Sequence, residues 1–127
     1  MINISDLEPD QAGNRYITFA YCEGDEQLGY LKIEEPERKS IEIAGLFVDQ
    51  KYRSKGIAPR LIGELIKWCS ENYPSVEKLT AYIAPMSPAG DAGVTPDALK
   101  TFYEKQGFIL KPHGTFGDEF MGTLFLK

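Results

Sequence analysis

The chain of 127 residues is poor in the side chains that staple or metallate small proteins, with two cysteines and one histidine. Cys22 and Cys69 lie in apolar stretches, without C-x-x-C spacing and without a histidine cluster. Neither a disulfide framework nor a metal site is therefore expected. Long hydrophobic runs are also missing. The longest clean one is Ile43–Val48, six residues, against the roughly 20 that a membrane span needs. The start, MINISDLEPD, is acidic and has no basic segment followed by an apolar one. A secretory signal is not expected, and the cytoplasm is the expected compartment. Positive charge is in the minority, 14 Lys and Arg against 19 Asp and Glu, for a net charge of −5. That balance argues against nucleic-acid binding. A 43% hydrophobic and 26% charged composition excludes extensive disorder, and the length predicts one domain over residues 1–127.

What is present reads as a mixed sheet with two helices. Arg15–Cys22 and Gln27–Ile33 are aromatic and β-branched runs separated by Glu23-Gly24-Asp25, which predicts a hairpin. Pro36 breaks the chain, and Ser40–Val48 follows as a third strand that is apolar on both faces at its end. From about Gly56 to Asn72, Ala58, Leu61, Ile62, Leu65, Ile66 and Cys69 recur at helical spacing. Gly63 inside that helix is expected to permit close packing on the sheet. A strand is predicted over Val76–Ile83 and a long loop over 85–94. Thr95-Pro96 opens a second helix that Gly107 ends. Phe108–Leu110 and Phe120–Leu126 close the chain as strands. The class is α+β, in the order β-β-β-α-β-α-β-β.

The basic residues are concentrated. Lys51, Arg53, Lys55 and Arg60 fall within ten residues that contain no acid. A solvated basic turn would look the same, but this one lies directly between an apolar strand and an amphipathic helix. The segment Arg53-Ser54-Lys55-Gly56-Ile57-Ala58 has the form R-x-x-G-x-A. Small residues at a helix start let backbone N–H groups approach an anion, which the helix dipole also favours. The segment is neither of the two common phosphate loops, G-x-x-x-x-G-K-[ST] or G-x-G-x-x-G.

With the later run Ala98-Leu99-Lys100-Thr101-Phe102-Tyr103-Glu104-Lys105-Gln106-Gly107-Phe108, this arrangement resembles the GNAT family of N-acetyltransferases over roughly residues 15–127. The family shows a strand, then [QR]-x-x-G-x-[GA], then a helix, and later a stretch like FYEKLGF. The resemblance implies a mixed, mostly antiparallel sheet flanked by helices, and binding of acetyl-coenzyme A. Arg53, Ser54, Lys55, Gly56, Ile57 and Ala58 would hold the diphosphate. The backbone at Phe47 and Val48 would meet the pantetheine arm, and one of their N–H groups would serve the thioester carbonyl. Tyr103 matches the family's acid for the leaving thiolate; the plain alternative is a packing residue. Glu42 matches a glutamate that is the general base in some members; the plain alternative is a solvent-facing strand residue.

The sequence also departs from the family. Thr95 stands where an Asn often contacts the cofactor, and Pro59 removes an N–H near the phosphate site. About 14 residues precede the first strong strand, where relatives usually place two helices that wall the acceptor site. An open cleft is therefore expected, unless the loop over 85–94 or a second subunit covers it. The implied activity is transfer of an acetyl group to a primary amine: a protein lysine or N-terminus, a polyamine or a small amine. A homodimer is a further possible partner. The rival reading is a module that binds acetyl-coenzyme A without turnover and regulates a protein partner. His113, Trp68 and Tyr73 read as turn or packing residues, and Glu34, Glu35 and Glu37 as an acidic loop able to attract a cation.

Overall fold

The structure is a computed structural model that describes residues 1–37, 39–52, 55–83, 96–113 and 119–126. Arg53, Ser54, Thr95 and the expected loop over 85–94 lie outside the described residues.

Ile2–Ile4 (β1) and Glu8–Pro9 (β2) both pair antiparallel with Arg15–Glu23 (β3). These two short strands were not legible in the sequence. β3 and Glu26–Glu34 (β4) form the expected hairpin, and Gly24 in its turn takes φ 59°, a left-handed value that glycine adopts without strain. Ser40–Val48 (β5) pairs antiparallel with β4 and parallel with Lys78–Ile83 (β6). Between them run a short 3-10 turn over Gln50–Tyr52 and the helix Ile57–Asn72 (α1). Pro96–Lys105 (α2), Ile109–Pro112 (β7) and Phe120–Phe125 (β8) complete the fold. The sheet runs β1-β3-β4-β5-β6-β8-β7, with β2 beside β3.

The core lies on one face of this sheet. Ile17 and Phe19 of β3, Leu31 and Ile33 of β4, Ile41 and Ile43 of β5, and Leu79 and Ala81 of β6 are all buried. They meet the apolar stripe of α1, whose Leu61, Ile62, Leu65 and Cys69 are buried. Burial pushes the Cys69 thiol up to about 11, so it stays protonated and unreactive. Trp68 sets its ring edge-on to Phe19 at 5.5 Å and lies 5.1 Å from Tyr73, which makes both packing residues. α2 lies on the same face. A Cβ on Gly122 would touch Phe108 and Ile83, and Tyr103 of α2 packs edge-on against Phe108 at 5.2 Å. The opposite face, carrying Tyr16, Lys32, Glu34, Glu42 and Tyr82, has no helix among the described residues.

Gly63 does not serve close packing: it is exposed, and a Cβ there would meet nothing within 4 Å. It only lowers helix propensity. Gly63→Ala is therefore expected to stabilise the protein by about 1 kcal/mol, measured as a raised urea midpoint with an unchanged slope.

Candidate active site

The parallel pairing of β5 with β6 runs from Ser40↔Lys78 to Ile43↔Ala81 and stops there. β5 continues to Val48 along β4, while β6 continues to Ile83 along β8. The two strands thus part in a V after Ile43 and Ala81. This is why the end of β5, apolar on both faces in sequence, is only half-buried at Leu46 and Phe47.

The divergence coincides with a β-bulge. Lys32 pairs with Gly45 and Ile33 with Ile43, which leaves Ala44 as the extra residue. Beyond it, the Asp49 N–H donates to the Leu28 carbonyl at 2.8 Å. Antiparallel alternation then points the N–H and C=O groups of Phe47 and Gly45 at β4, and those of Leu46 and Val48 into the V. The Phe47 carbonyl lies 2.7 Å from where a Cβ on Gly29 of β4 would sit, which agrees. The expectation that Phe47 offers its backbone to a ligand is therefore corrected, because those groups belong to the sheet. Leu46, which alternates with Phe47, was not among the expected residues; the small pair Ala44-Gly45 inside a strand was the available signal for the bulge.

At the outer end of β5 the chain turns into α1. Gly56 sits at the N-cap with φ 80°, makes no side-chain cap, and has open space where a Cβ would be. The first turn of α1 contains no acid. The Ile57 and Ala58 N–H groups are among the donors that a helix start leaves without intrahelical partners, and Pro59 brings none. Lys51 and Lys55 are exposed beside it. Arg60 is engaged away from this turn. It donates to the Tyr21 hydroxyl at 3.0 Å and covers that ring at 5.3 Å, tying α1 to β3. Tyr52 donates to Glu26 at 2.9 Å and lies 5.8 Å under the Lys55 ammonium. An uncapped helix start without acids, opened by glycine and flanked by lysines, fits a diphosphate.

Tyr103 is 8% exposed and lies between Phe102 and Phe108, both edge-on at 5.2 Å. Its place is fixed by the helix end. The Phe108 N–H donates to the Tyr103 carbonyl at 3.0 Å and the Gly107 N–H to that of Glu104 at 3.0 Å, with Gly107 at φ 97°. This is the six-to-one and five-to-two closure that glycine permits. Phe108 and Ile83, the end of the β6 arm of the V, both border Gly122 of β8.

Glu42 lies on the opposite face, at the base of the V, in register with Thr80. The V therefore separates the two expected proton-handling residues. Pairing of Ile33 with Ile43 sets Glu34 beside Glu42 on that face. A hydrogen bond to Glu42, then burial, then the Glu42 charge push the Glu34 carboxyl above its ordinary value. Both line a cavity of about 420 Å³ together with Glu35, Glu37, Asn14 and Thr80. The first 14 residues thus do not leave this side bare. Asp10 accepts the Ala12 and Asn14 N–H groups at 2.9 Å each, and the turn so shaped places Gly13 and Asn14 in the cavity wall. Glu34, read in sequence as part of an acidic loop, is a strand residue of the site. His113 is exposed, with its ring against Tyr82 at 5.4 Å.

Residues 14–110 match a family model described as an acetyltransferase (GNAT) domain. No curated protein sequence matches the chain. Among solved structures, an aminoglycoside 6'-N-acetyltransferase complexed with coenzyme A is similar with a TM-score of 0.65 at 16% identity, over 88% of this chain and 73% of that one. An acetyltransferase from Thermus thermophilus gives 0.65 at 18% identity, over 87% and 64%. A candidate acyl-CoA N-acyltransferase from Klebsiella pneumoniae gives 0.67 at 13%, over 100% and 99%. At these identities the structural likeness shows the fold.

Proposed function

Because the chain belongs to the GNAT acetyltransferase family, we propose that it transfers an acetyl group from acetyl-coenzyme A to a primary amine within a ternary complex. The observation that carries this reading is the V between β5 and β6, with an uncapped helix start at its outer end and carboxylates at its base. When bound, acetyl-coenzyme A supplies an acyl carbon already activated as a thioester. Ile57, Ala58, Lys51 and Lys55 would hold its diphosphate, with Gly56 giving the backbone room. Leu46 would offer an N–H to the thioester carbonyl, where negative charge develops. Arg53, Ser54 and Thr95 belong to the same proposal through their place in the motifs.

The amine enters from the face that carries Glu34 and Glu42. Its acidic lining favours a cationic acceptor such as a polyamine, an aminoglycoside or a lysine side chain. An ammonium must lose a proton before it can attack, and Glu42 would accept it. As the C–N bond forms and the C–S bond breaks, the amine loses a second proton. Tyr103 gives its phenolic proton to the departing sulfur and recovers one from the amine. The balance is one amide, one thiol and one proton released to water.

Acetyl-coenzyme A at 100 times its dissociation constant should stabilise the native state by about 2.7 kcal/mol, read as a rise in melting temperature. Release of free thiol is then followed with polyamines, aminoglycosides, amino acids and lysine peptides. Absence of a shift at millimolar ligand removes the cofactor reading. A shift without thiol release on any amine leaves the non-catalytic module.

A further inference from the structure

Glu34 has no part in the resemblance that singled out Glu42, yet the register of β4 and β5 makes the two neighbours. They project from adjacent strands on the same face, beyond the Ile33↔Ile43 pair, into one cavity. Two carboxylates in contact cannot both ionise as freely as one, so such a pair retains its last proton to a higher pH than a single carboxylate. Three cations stand near the pair among the described residues: Lys78 lies on the same face of β6, in register with Ser40, Arg15 lines the same cavity and bridges Glu35 at 3.5 Å, and Lys32 lies over the Tyr16 ring at 4.5 Å. The remaining groups around the pair are neutral or acidic: Ser40 and Thr80 on β5 and β6, Glu37 in the turn, and Tyr16 on β3. Removal from water, then the charges of Asp10, Glu34 and Glu42, push the Tyr16 phenol up, so it adds no charge at neutral pH.

We propose that Glu34 is a positioning residue of the reaction: it stands beside Glu42 so that two ionised carboxylates can share one incoming proton, and the pair, rather than Glu42 by itself, accepts the proton of the incoming ammonium. The proposal rests on the acetyltransferase reading for its chemistry, but the shared proton is a property of the folded chain. One proton passes from the ammonium nitrogen to a carboxylate oxygen of the fully ionised pair, and from there to water after the amide leaves. The advantage of two carboxyls is basicity. A lone exposed carboxylate, with a pKa of about 4.3, is a weak acceptor for an ammonium proton, and each increment of proton affinity raises the rate of transfer.

The test separates the two layers. Carbon-detected NMR of glutamate carboxyls, on the protein without ligands, should show the Glu34 carboxyl keeping its proton above the ordinary carboxylate range. In Glu42→Gln the Glu34 carboxyl should lose its proton at a lower pH than in the parent, because the neighbouring charge is gone. In turnover, Glu34→Gln should move the acid limb of the kcat/KM profile to lower pH. It should lower kcat/KM at pH 7 by about three- to tenfold. Glu34→Asp should recover part of both effects, and the double Gln variant should lose little more than the worse single one. A Glu34 titration unmoved by Glu42→Gln, or an acid limb unmoved by Glu34→Gln, overturns the proposal. Failure to bind acetyl-coenzyme A strikes at the acetyltransferase reading instead, and leaves the titration to decide on the shared proton.

Discussion

Gly56→Glu is expected to abolish binding of acetyl-coenzyme A by a folded protein. The carboxylate would stand at the N-cap of α1, a position with φ 80° and open space around the missing Cβ. That space is where a diphosphate approaching the Ile57 and Ala58 N–H groups has to lie. The substitution combines obstruction with like-charge repulsion, so a loss of at least a hundredfold in affinity is expected, about 2.8 kcal/mol. The left-handed backbone adds a separate cost, since a residue with a Cβ is strained there by about 1–2 kcal/mol. Gly56→Ala carries that strain without the charge or the bulk, and Gly56→Asn relieves part of it because Asn tolerates this region. Calorimetric titration of the three variants, with their melting temperatures, separates the causes. Affinity should fall most for Glu, while stability should fall similarly for Ala and Glu. A Glu variant that binds like the parent would place the diphosphate elsewhere.

Tyr103→Phe is expected to lower kcat by about 10²–10³-fold while leaving affinity for acetyl-coenzyme A nearly unchanged, the usual scale for removal of a positioned acid. The ring is held by Phe102, Phe108 and the glycine-closed end of α2. Phenylalanine preserves all of that packing, so the variant removes only the hydroxyl. A phenol is a donor at neutral pH, which suits protonation of a departing thiolate and not abstraction from an ammonium. Steady-state kinetics at saturating acetyl-coenzyme A measure the effect. An acetyl thioester whose thiol has a lower pKa should recover part of the rate, because its thiolate leaves with less help. Full activity in the Phe variant would mean that water protonates the sulfur and that Tyr103 only packs.

Local elements and the chemical inventory were legible in the residues alone. The 3.6-residue recurrence from Ala58 to Cys69 specifies a helix wherever it is placed, because that spacing turns one apolar stripe to one side. The hairpin over residues 15–34 follows from alternation around Gly24, and the end of α2 from Gly107. R-x-x-G-x-A between a strand and a helix marked the candidate anion-binding turn, because a helix start has the same orphan donors in any fold. Whatever depends on which strand lies beside which came from long-range pairing instead. β1 and β2 hold two or three residues that bury almost nothing by themselves and exist as strands only because β3 offers an edge to pair with. The bulge at Ala44 and the parting of β5 from β6 after Ile43 are properties of pairing between segments far apart in the chain. They reversed the reading of Phe47, since a shift of one residue exchanges groups that face the neighbouring strand with groups that face the V. Glu34 and Glu42 are eight positions apart in sequence with Pro36 between them. Only the register of β4 on β5 makes them one site, because hydrogen-bonded pairing fixes which side chains share a face and local preference does not.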